Sequence, residues 1–352
     1  MNIEELRNEI DRLDAEIVRL INRRAQVVMR VGELKRKQDA TIYVPSREQR
    51  VFQHVSQCSE GPLPEESVVS VFREIISACR ALEHKVRVAF LGPLGTFSHR
   101  AARTVFGSSV EFVPVPAMDA IFDEVEKRRA DYGVVPVENS SQGGIHDTLR
   151  RFIDSDLTVC GELTLAIHHY LMAHCDMADI KTVYSKETVF IQCRKWLTNN
   201  LGHIEWLPAA STAEAAAIAA REDGAAAIAG FESAGMNDLR ILAERIEDDS
   251  ENHTRFFVLG RQATEPTGKD KTSLLCSVQD RPGALCNLLT ELKNADINMT
   301  KIESFPSPKA AFQYYFFIDI LGHSKEEPIA AALEKARGHC VEFKVLGAFP
   351  RG

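Results

Sequence analysis

Charged residues stand at positions of the N-terminal segment where the sequence otherwise places apolar side chains. From Ile3 to Leu34 the apolar residues recur at alternating spacings of three and four, the pattern of one long helix with an apolar face. Arg24 occupies a position on that face, and Lys35 follows eleven residues later, about 16 Å further along the axis. A cation buried between helices is costly unless an anion meets it. The spacing therefore indicates a site for a small anion, although a lone arginine can also reach solvent or pair with a partner's carboxylate.

Arg47 and Glu83 add charge to the two shorter helices that follow. Arg47 is predicted in the first turn of the second helix, and Glu83 continues the apolar face of the third. Residues 1–84 are therefore predicted to form an all-α helical domain, dominated by one helix far longer than the others. Such a segment cannot enclose a core alone, so we expect a homodimer or a larger homo-oligomer to cover the apolar face.

A second chemical signal is the glycine-rich segment GPLGTFSHRAA at residues 92–102. Its glycines follow a predicted strand and precede a predicted helix, an arrangement that exposes backbone N–H groups to a phosphate or a carboxylate. The segment lacks the Gly-Lys-Ser/Thr of a phosphate loop and the spacing of the dinucleotide fingerprint. Nucleotide and nicotinamide cofactors are therefore disfavoured, and we expect no cofactor.

The elements that position these residues change character along the chain. Short apolar strands alternate with helical stretches over residues 86–262, which predicts an α/β domain with a mostly parallel sheet, long enough for two lobes. Residues 271–350 follow the order β-α-β-β-α-β, which predicts a ferredoxin-like α+β domain. The fold class is therefore multidomain: all-α, then α/β, then α+β.

Composition excludes several classes of function. A net charge of −8 disfavours a nucleic-acid partner, which needs a basic face. The eight cysteines are scattered, with no C-x-x-C pair and no histidine cluster at metal spacing, so we expect neither a metal site nor disulfides. No apolar run approaches the roughly 20 residues that span a bilayer, and the first residues lack the apolar core of a signal peptide. We expect a cytoplasmic protein without a membrane partner.

The helical segment resembles the all-helical chorismate mutases through LRNEIDRLDAEIVRLINRRAQVVMRVGELK, the Arg47-Glu48 pair and IISACRALE. The resemblance implies a site built from both protomers of an intertwined dimer. Arg7 of the second protomer, Arg24 and Arg47 would hold the two carboxylates of chorismate. Lys35 and Glu48 would lie near the ether oxygen and the ring hydroxyl. The rearrangement needs no nucleophile or metal, only a fixed conformer and cations near the developing charge.

Glu83 stands where many relatives carry a glutamine that donates a hydrogen bond to the ether oxygen. A carboxyl group donates only when it is protonated. Burial raises its pKa and neighbouring cations lower it, and the sequence leaves that balance open. The hypothesis that burial dominates predicts a mutase activity that falls as the pH rises.

The middle segment resembles prephenate dehydratase, through GPLGTFSHRAA, VPVENSSQGGIHDTL, GELTLAIHHYL and ENHTRFFVLG in this order. The resemblance implies a two-lobed, periplasmic-binding-protein-like domain that closes on its substrate. In the Thr-Arg-Phe motif, Thr254 would donate to the leaving hydroxyl, Arg255 would bind a substrate carboxylate, and Phe256 would shape the pocket. Further substrate-binding residues would be Ser98, Glu138, Asn139, Ser140 and Thr148.

For any one of these residues taken alone, a cap, a turn or a solvated loop position is the more common role. Thr188 stands where the relatives usually have a glutamine, which puts any role of that glutamine in doubt. His168 and His169, adjacent in an apolar stretch, are interpreted as structural.

The C-terminal segment resembles the ACT regulatory domain of dehydratases, through DRPGALCNLL and INMTKIES. The resemblance implies a phenylalanine site between paired subunits. Its residues would be Gly283, Ala284, Leu285, Asn298, Glu303 and Ser304. Phe305 replaces an arginine of the common motif and Gln313 departs from it as well, which predicts altered or weaker phenylalanine binding. The alternative is a domain used mainly for dimerisation.

Together the three resemblances imply one chain that converts chorismate to prephenate and prephenate to phenylpyruvate, with L-phenylalanine as a feedback inhibitor. One alternative is an arogenate dehydratase, which shares the second and third segments, although a fused mutase favours prephenate as the substrate. Another is a non-catalytic, amino-acid-binding regulator on the same scaffold. The charged residues kept in the first segment and the Thr-Arg-Phe motif argue against the latter.

Overall fold

The computed structural model describes residues 2–37, 45–141, 143–309 and 313–351, except for the side chains of residues 35–37. The chain forms two compact units. We call the first the helical unit, made of residues 1–87 with 106–111, and the second the α/β unit, made of residues 88–105 with 112–352.

The helical unit confirms one long helix and two shorter ones. They are α1 (Ile3–Lys37), α2 (Pro45–Gln57) and α3 (Glu65–Ala81). Helix α3 packs against both α1 and α2. The apolar stripe of α1 nevertheless remains open, since Ile17 is 53% exposed and Leu20 59% exposed. A helix needs tertiary burial of its apolar face for most of its stability, and among the described residues this stripe receives only part of that burial.

The first lobe of the α/β unit is a sheet in the order β2-β1-β3-β11-β5, with β4 paired to β3. Strand β1 is parallel to β3, whereas β11 returns from the far end of the segment and runs antiparallel to both β3 and β5. The prediction of a mostly parallel sheet is therefore wrong, because the returning strand pairs antiparallel on both of its sides and makes the sheet mixed. The elements are β1 (Arg87–Leu91), α4 (Phe97–Phe106), β2 (Glu111–Val115), α5 (Met118–Glu126), β3 (Tyr132–Asn139), β4 (Gly143–Gly144), α6 (His146–Asp154), β5 (Thr158–Ala166) and β11 (His253–Gly260).

The second lobe is a five-stranded sheet in the order β10-β6-β9-β7-β8. Its elements are β6 (Tyr170–Ala173), β7 (Thr182–Ser185), α7 (Glu187–Gln192), α8 (Arg194–Leu201), β8 (Glu205–Pro208), α9 (Thr212–Ala219), β9 (Ala225–Ala229), α10 (Phe231–Met236) and β10 (Arg240–Ala243). The alanines of β9 and four of the five alanines of α9 are buried, which lets this helix lie close to the sheet. The stretch FIQCRKWL, whose apolar residues fit one continuous helix, is divided at Cys193 into α7 and α8.

The C-terminal part confirms the β-α-β-β-α-β order. Its elements are β12 (Asp270–Val278), α11 (Ala284–Asn294), β13 (Met299–Pro306), β14 (Tyr314–Leu321), α12 (Glu327–Arg337) and β15 (Cys340–Pro350), with the strands in the order β13-β14-β12-β15. One face of this sheet packs on α11 and α12. The other face joins the core of the first lobe, where Phe257 meets Phe317 and Phe349 at ring-centroid distances of 6.1 and 5.4 Å. The C-terminal sheet and the first lobe therefore share one hydrophobic core.

In the described part of the chain, no helix combines the length and the apolar character needed to cross a membrane.

Candidate active sites

A cleft of about 1190 Å³ is lined by residues from both lobes of the α/β unit. The first lobe contributes the loop from Leu91 to Ser98, which leads from β1 into α4, together with parts of β3 and β11. The second lobe contributes α7 and the start of α9. Both α4 and α9 begin at the cleft, so their N-terminal N–H groups favour an anion there.

Strand β11 places alternate side chains on opposite sides of its sheet. Thr254 and Phe256 line the cleft. Arg255, between them, is directed to the C-terminal sheet, where it meets Asp319 of β14. This is the expected behaviour of a strand, in which successive side chains point to opposite faces.

Arg255 belongs to a buried cluster of balanced charge. Its guanidinium donates to Glu162 over 2.7 Å from Nε and pairs with it over 2.6 Å from Nη2, and its Nη1 contacts Asp319. Lys271 pairs with the same Glu162 at 2.9 Å, and Ser273 donates to Asp319 at 2.5 Å. Buried charges are tolerated when they are paired and hydrogen-bonded in this way. The structure therefore gives Arg255 carboxylate partners within the protein, on the side of β11 that faces away from the cleft.

The cleft also contains side chains that the sequence motifs did not single out as functional. Lys186 and Arg221 are exposed cations on its second-lobe wall, and Thr188 also lines the cleft. His169 is buried, and its Nε2 lies 2.9 Å from Oε1 of Gln192. Burial lowers the pKa of His169, which keeps its imidazole neutral near pH 7.

Of the five residues predicted to bind the dehydratase substrate, two line the cleft. Ser98 lies there at the start of α4 and is 7% exposed, and Asn139 lies there at the end of β3. The other three have partners elsewhere: Thr148 donates to the Pro136 carbonyl at 2.7 Å, Ser140 accepts from the His253 N–H at 2.9 Å, and Glu138 pairs with Lys301 at 2.7 Å. These three side chains therefore stabilise segments next to the cleft, and they do not line it.

In the helical unit, Arg24 is half-buried on the apolar stripe of α1. Its Nη1 is buried and has no hydrogen-bond acceptor among the described residues. Glu83 packs against Gly32 of the same helix, so closely that a Cβ added to that glycine would lie 2.7 Å from the Glu83 Cδ. The Glu83 carboxylate thus lies against Gly32, about two helical turns along α1 from Arg24.

The remaining residues predicted for this site are less enclosed. Arg7 and Arg47 are exposed. Glu48 accepts from the buried Arg80 at 2.7 Å, a partner that the sequence reasoning missed. The backbone of Lys35 lies in α1, but its side chain falls outside the described part of the structure.

In the C-terminal part, Gly283 has a φ of +79° and Ala284 begins α11, so the predicted turn into a helix is present. Glu303 points to the first lobe, where it accepts from the Gly144 N–H at 3.1 Å and lies 3.2 Å from Nε2 of His146. The next residue, Ser304, is exposed on the other face of β13. The two residues of the predicted effector motif therefore point in opposite directions.

Phe305 is fully buried and stacks on His146 and Tyr315, at centroid distances of 6.2 and 5.9 Å. Its replacement of an arginine thus makes this position part of the core shared with the first lobe. Leu285 is half-buried and Asn298 is exposed, and the main-chain carbonyl of Asn298 accepts from the Leu321 N–H at 2.9 Å.

Comparison with known proteins matches three family models in order along the chain: chorismate mutase type II at residues 6–84, prephenate dehydratase at 88–264 and the ACT domain at 272–338. A bifunctional chorismate mutase/prephenate dehydratase from Aquifex aeolicus is 43% identical over 99% of this chain and 98% of its own length. The chain belongs to the bifunctional chorismate mutase/prephenate dehydratase family. It carries both activities, the rearrangement of chorismate to prephenate and the conversion of prephenate to phenylpyruvate, as the sequence predicts.

Solved structures support the fold of the dehydratase and ACT domains. A prephenate dehydratase from Arthrobacter aurescens, solved in complex with L-Phe, has a TM-score of 0.71 and 31% identity, over 76% of this chain and 90% of that one. GqqA, described as a novel type of quorum quenching acylase, has a TM-score of 0.69 and 26% identity, over 76% of this chain and 98% of that one. One fold therefore accompanies more than one description of activity, and the side chains of the cleft must define the chemistry.

For this bifunctional enzyme, the contacts that the sequence did not predict join segments that are distant along the chain. Lys186 and Arg221 line a cleft whose other wall comes from the first lobe, and Arg80 pairs with Glu48. In the sequence alone, each of these residues resembles an ordinary surface cation. Among the described residues, no cluster of histidine, cysteine, aspartate and glutamate could hold a metal ion.

Proposed function

We propose that prephenate is dehydrated in the cleft between the two lobes, with Thr254 donating a hydrogen bond to the leaving hydroxyl. The observation that carries this proposal is that Thr254 and Phe256 line the cleft together with the starts of two helices. The C–O bond of the hydroxyl and the bond to the ring carboxylate break together, which releases hydroxide and carbon dioxide and leaves an aromatic ring. A proton from solvent then converts the hydroxide to water. The enzyme needs to stabilise the departing hydroxide and to enclose the carboxylate, and both tasks require only hydrogen bonds and charge.

The two carboxylates of prephenate call for positive charge in the cleft, and we assign Lys186 and Arg221 to this role. Both side chains line the second-lobe wall and are exposed to the cavity and solvent. Ser98, at the start of α4, supplies a hydroxyl on the opposite wall. A dianion held between cations on one lobe and a helix N-terminus on the other would draw the lobes together.

Arg255 has a positioning role in this proposal. Its bonds to Glu162 and Asp319 join β11, β5 and β14 beneath the residues that line the cleft. Loss of the guanidinium would leave two buried carboxylates without their main counter-charge, a large penalty. Substitution of Arg255 would then lower dehydratase activity through displacement of Thr254.

For the mutase reaction we propose a site shared between two copies of the chain, as the family resemblance implies. Two observations support this proposal: the exposed apolar stripe of α1 and the buried Nη1 of Arg24, which has no hydrogen-bond acceptor within the described part of the chain. A helix of the second copy would cover the stripe, and a carboxylate of the substrate would accept from the Arg24 guanidinium. Arg7 of one protomer would complete the site of the other. The homodimer, or a larger assembly, remains a prediction to be tested by the mass of the assembly in solution.

For regulation we propose that L-phenylalanine binds the ACT domain and inhibits the dehydratase. The Arthrobacter relative was solved with L-Phe, which supports an effector site of this kind. The contact of Glu303 with Gly144 offers a short route to the active site, because Ile145, the next residue, lines the cleft. A change in the position of β13 would therefore move a wall of the cleft.

Reduced cysteines fit the expected cytoplasmic location, which also stays a prediction.

The decisive experiment is to incubate the purified chain with chorismate, prephenate or arogenate, with and without phenylalanine, and to identify the products. Phenylpyruvate should form from the first two substrates and should decrease when phenylalanine is added. Phenylalanine formed from arogenate, with prephenate left unchanged, would favour an arogenate dehydratase. Binding of phenylalanine without any product would favour a regulator.

Two variants locate the activities. Arg24→Ala should stop chorismate consumption but still dehydrate supplied prephenate, whereas Lys186→Met should accumulate prephenate from chorismate. Loss of both activities in one folded variant would contradict separate sites. Unchanged dehydration in Lys186→Met would contradict the cation role assigned to the cleft.

A further inference from the structure

The side-chain amide of Asn139 contacts the Thr254 hydroxyl directly. Asn139 lies opposite Thr254 in the antiparallel pairing of β3 and β11. Its Nδ2 lies 3.0 Å from the Thr254 Oγ1, and both side chains line the cleft. The same amide nitrogen lies 2.9 Å from Oδ1 of Asn252 and 3.2 Å from the carbonyl of His253.

The orientation of the Asn139 amide follows from its neighbours. Its Oδ1 accepts from the backbone N–H of Ser141 at 3.1 Å, and a backbone N–H can only donate. On the other side, the His253 carbonyl can only accept, so it requires the NH₂ group. Both constraints place the nitrogen towards Thr254. A flipped amide would set oxygen against oxygen and would leave the Ser141 N–H facing a donor.

Because an amide nitrogen donates and does not accept, the Thr254 oxygen must be the acceptor in this contact. The hydroxyl proton therefore cannot be directed to Asn139. Two Asn139 hydrogens serve three acceptors, so one hydrogen is shared, but this sharing does not change the direction of the contact. A hydroxyl whose oxygen accepts a hydrogen bond becomes a better donor, since hydrogen bonds in a chain polarise one another.

We propose that Asn139 is a positioning residue for prephenate dehydration, whose amide leaves the Thr254 proton free for the leaving hydroxyl and strengthens its donation. This inference rests on the proposed role of Thr254 in the cleft. It explains how a threonine, a weak acid, can assist the departure of hydroxide without a stronger acid beside it. Asn252, only 2% exposed, holds the amide in place through its Oδ1.

A double-mutant cycle tests whether Asn139 acts through Thr254. We would measure kcat and KM for prephenate in the wild type, Asn139→Ala, Thr254→Ala and the double variant. We expect Asn139→Ala to lower kcat by about 10- to 100-fold in the wild-type background, with KM changed less than threefold. In the Thr254→Ala background it should lower kcat by less than about threefold. Equal losses in both backgrounds, or a loss confined to KM, would overturn the proposal.

The isosteric variant Asn139→Asp gives a second readout that a purely structural role would not move. An ionised aspartate would accept the Thr254 proton and withdraw it from the cleft. A protonated aspartic acid can again donate to the hydroxyl oxygen. We therefore expect kcat of this variant to rise as the pH falls through the titration of the carboxyl group, relative to the wild type at each pH. A profile parallel to that of the wild type would refute the inference, even if Asn139→Ala failed to fold.

Controls separate this inference from the proposed function. Asn200→Ala makes the same substitution at an exposed position of α8 and should leave dehydration unchanged. Mutase activity in each sample reports the amount of intact chain, and a thermal melt reports folding of each variant. If the wild type forms no phenylpyruvate, the proposed function fails. If the wild type is active and the cycle is additive, only the role of Asn139 fails.

Discussion

Substitution of Gly32 by alanine should separate the stability of the helical unit from its catalytic activity. Gly32 is buried where Glu83 packs on α1. A Cβ at this position would lie 2.7 Å from the Glu83 Cδ and 2.9 Å from its Oε2. Ordinary van der Waals contact begins near 3.4 Å, so the carboxylate has to retreat by about 0.7 Å or more.

The two consequences of this displacement have different magnitudes. Alanine is favoured over glycine inside a helix by about 1 kcal/mol, which offsets much of the ~1–3 kcal/mol that overpacking costs. The melting temperature should therefore change by only a few degrees. A misplacement of about 1 Å at a reacting group costs on the order of 10²-fold in rate, which corresponds to about 2.7 kcal/mol of transition-state stabilisation. We expect kcat/KM for chorismate to fall by about 10- to 100-fold.

The assay follows the disappearance of chorismate in the ultraviolet, and the dehydration of supplied prephenate is measured on the same preparation. Dehydration should be unchanged. Gly61→Ala is the matched control, since a Cβ at this loop glycine would meet no atom within 4 Å. If Gly32→Ala retained mutase kcat/KM within about threefold of the wild type, or lost activity only in proportion to unfolding, the assignment of Glu83 to the reacting centre would be refuted.

Four further outcomes are expected. Glu83→Gln should flatten the decline of mutase activity with rising pH, and a pH–rate profile identical to that of the wild type would contradict a protonated Glu83. Asp319→Asn should lower the stability of the α/β unit by about 2–3 kcal/mol in urea unfolding, because Arg255 loses one of its two close carboxylates; an unchanged midpoint would mean that the cluster contributes little. Glu303→Gln should raise the phenylalanine concentration for half-inhibition of dehydration about tenfold, and an unshifted inhibition curve would exclude Glu303 from regulation. Ile17→Asp should shift the assembly to monomers in analytical ultracentrifugation and abolish mutase activity alone, so an intact dimer would contradict packing through α1.

Local patterns predicted the fold well where they were strong. The structure confirms the long amphipathic helix, the buried strands and the final β-α-β-β-α-β order. Each of these predictions depends on the periodicity of apolar residues inside single elements, which a sequence shows directly. The division of the stretch around Cys193 into two helices was not predicted, because its apolar residues fit one continuous helix equally well.

Side-chain direction was the weaker part of the prediction. The alternation of a strand already implies that Thr254 and Arg255 face opposite sides, but the motif was interpreted as one functional set. Lys186 and Arg221 reach the cleft only because two separate segments fold to its second-lobe wall, and the partner of Glu48 lies 32 residues away. A single sequence gives no measure of such long-range encounters. Likewise, the apolar stripe of α1 is exposed in the part of the chain that the structure describes, and the sequence of one chain does not show which surface would cover it.

The core shared by the C-terminal sheet and the first lobe has a consequence for the design of a deregulated enzyme. A chain cut before β12 would turn Phe257 from an interior side chain into a surface one and would remove Asp319 from Arg255. Such a truncated catalyst would need polar replacements on this face to stay soluble. Point substitutions on the outer face of β13, where Ile302 and Ser304 are exposed, leave that core intact. Such substitutions are therefore the better route to an enzyme that keeps its dehydratase activity when L-phenylalanine accumulates.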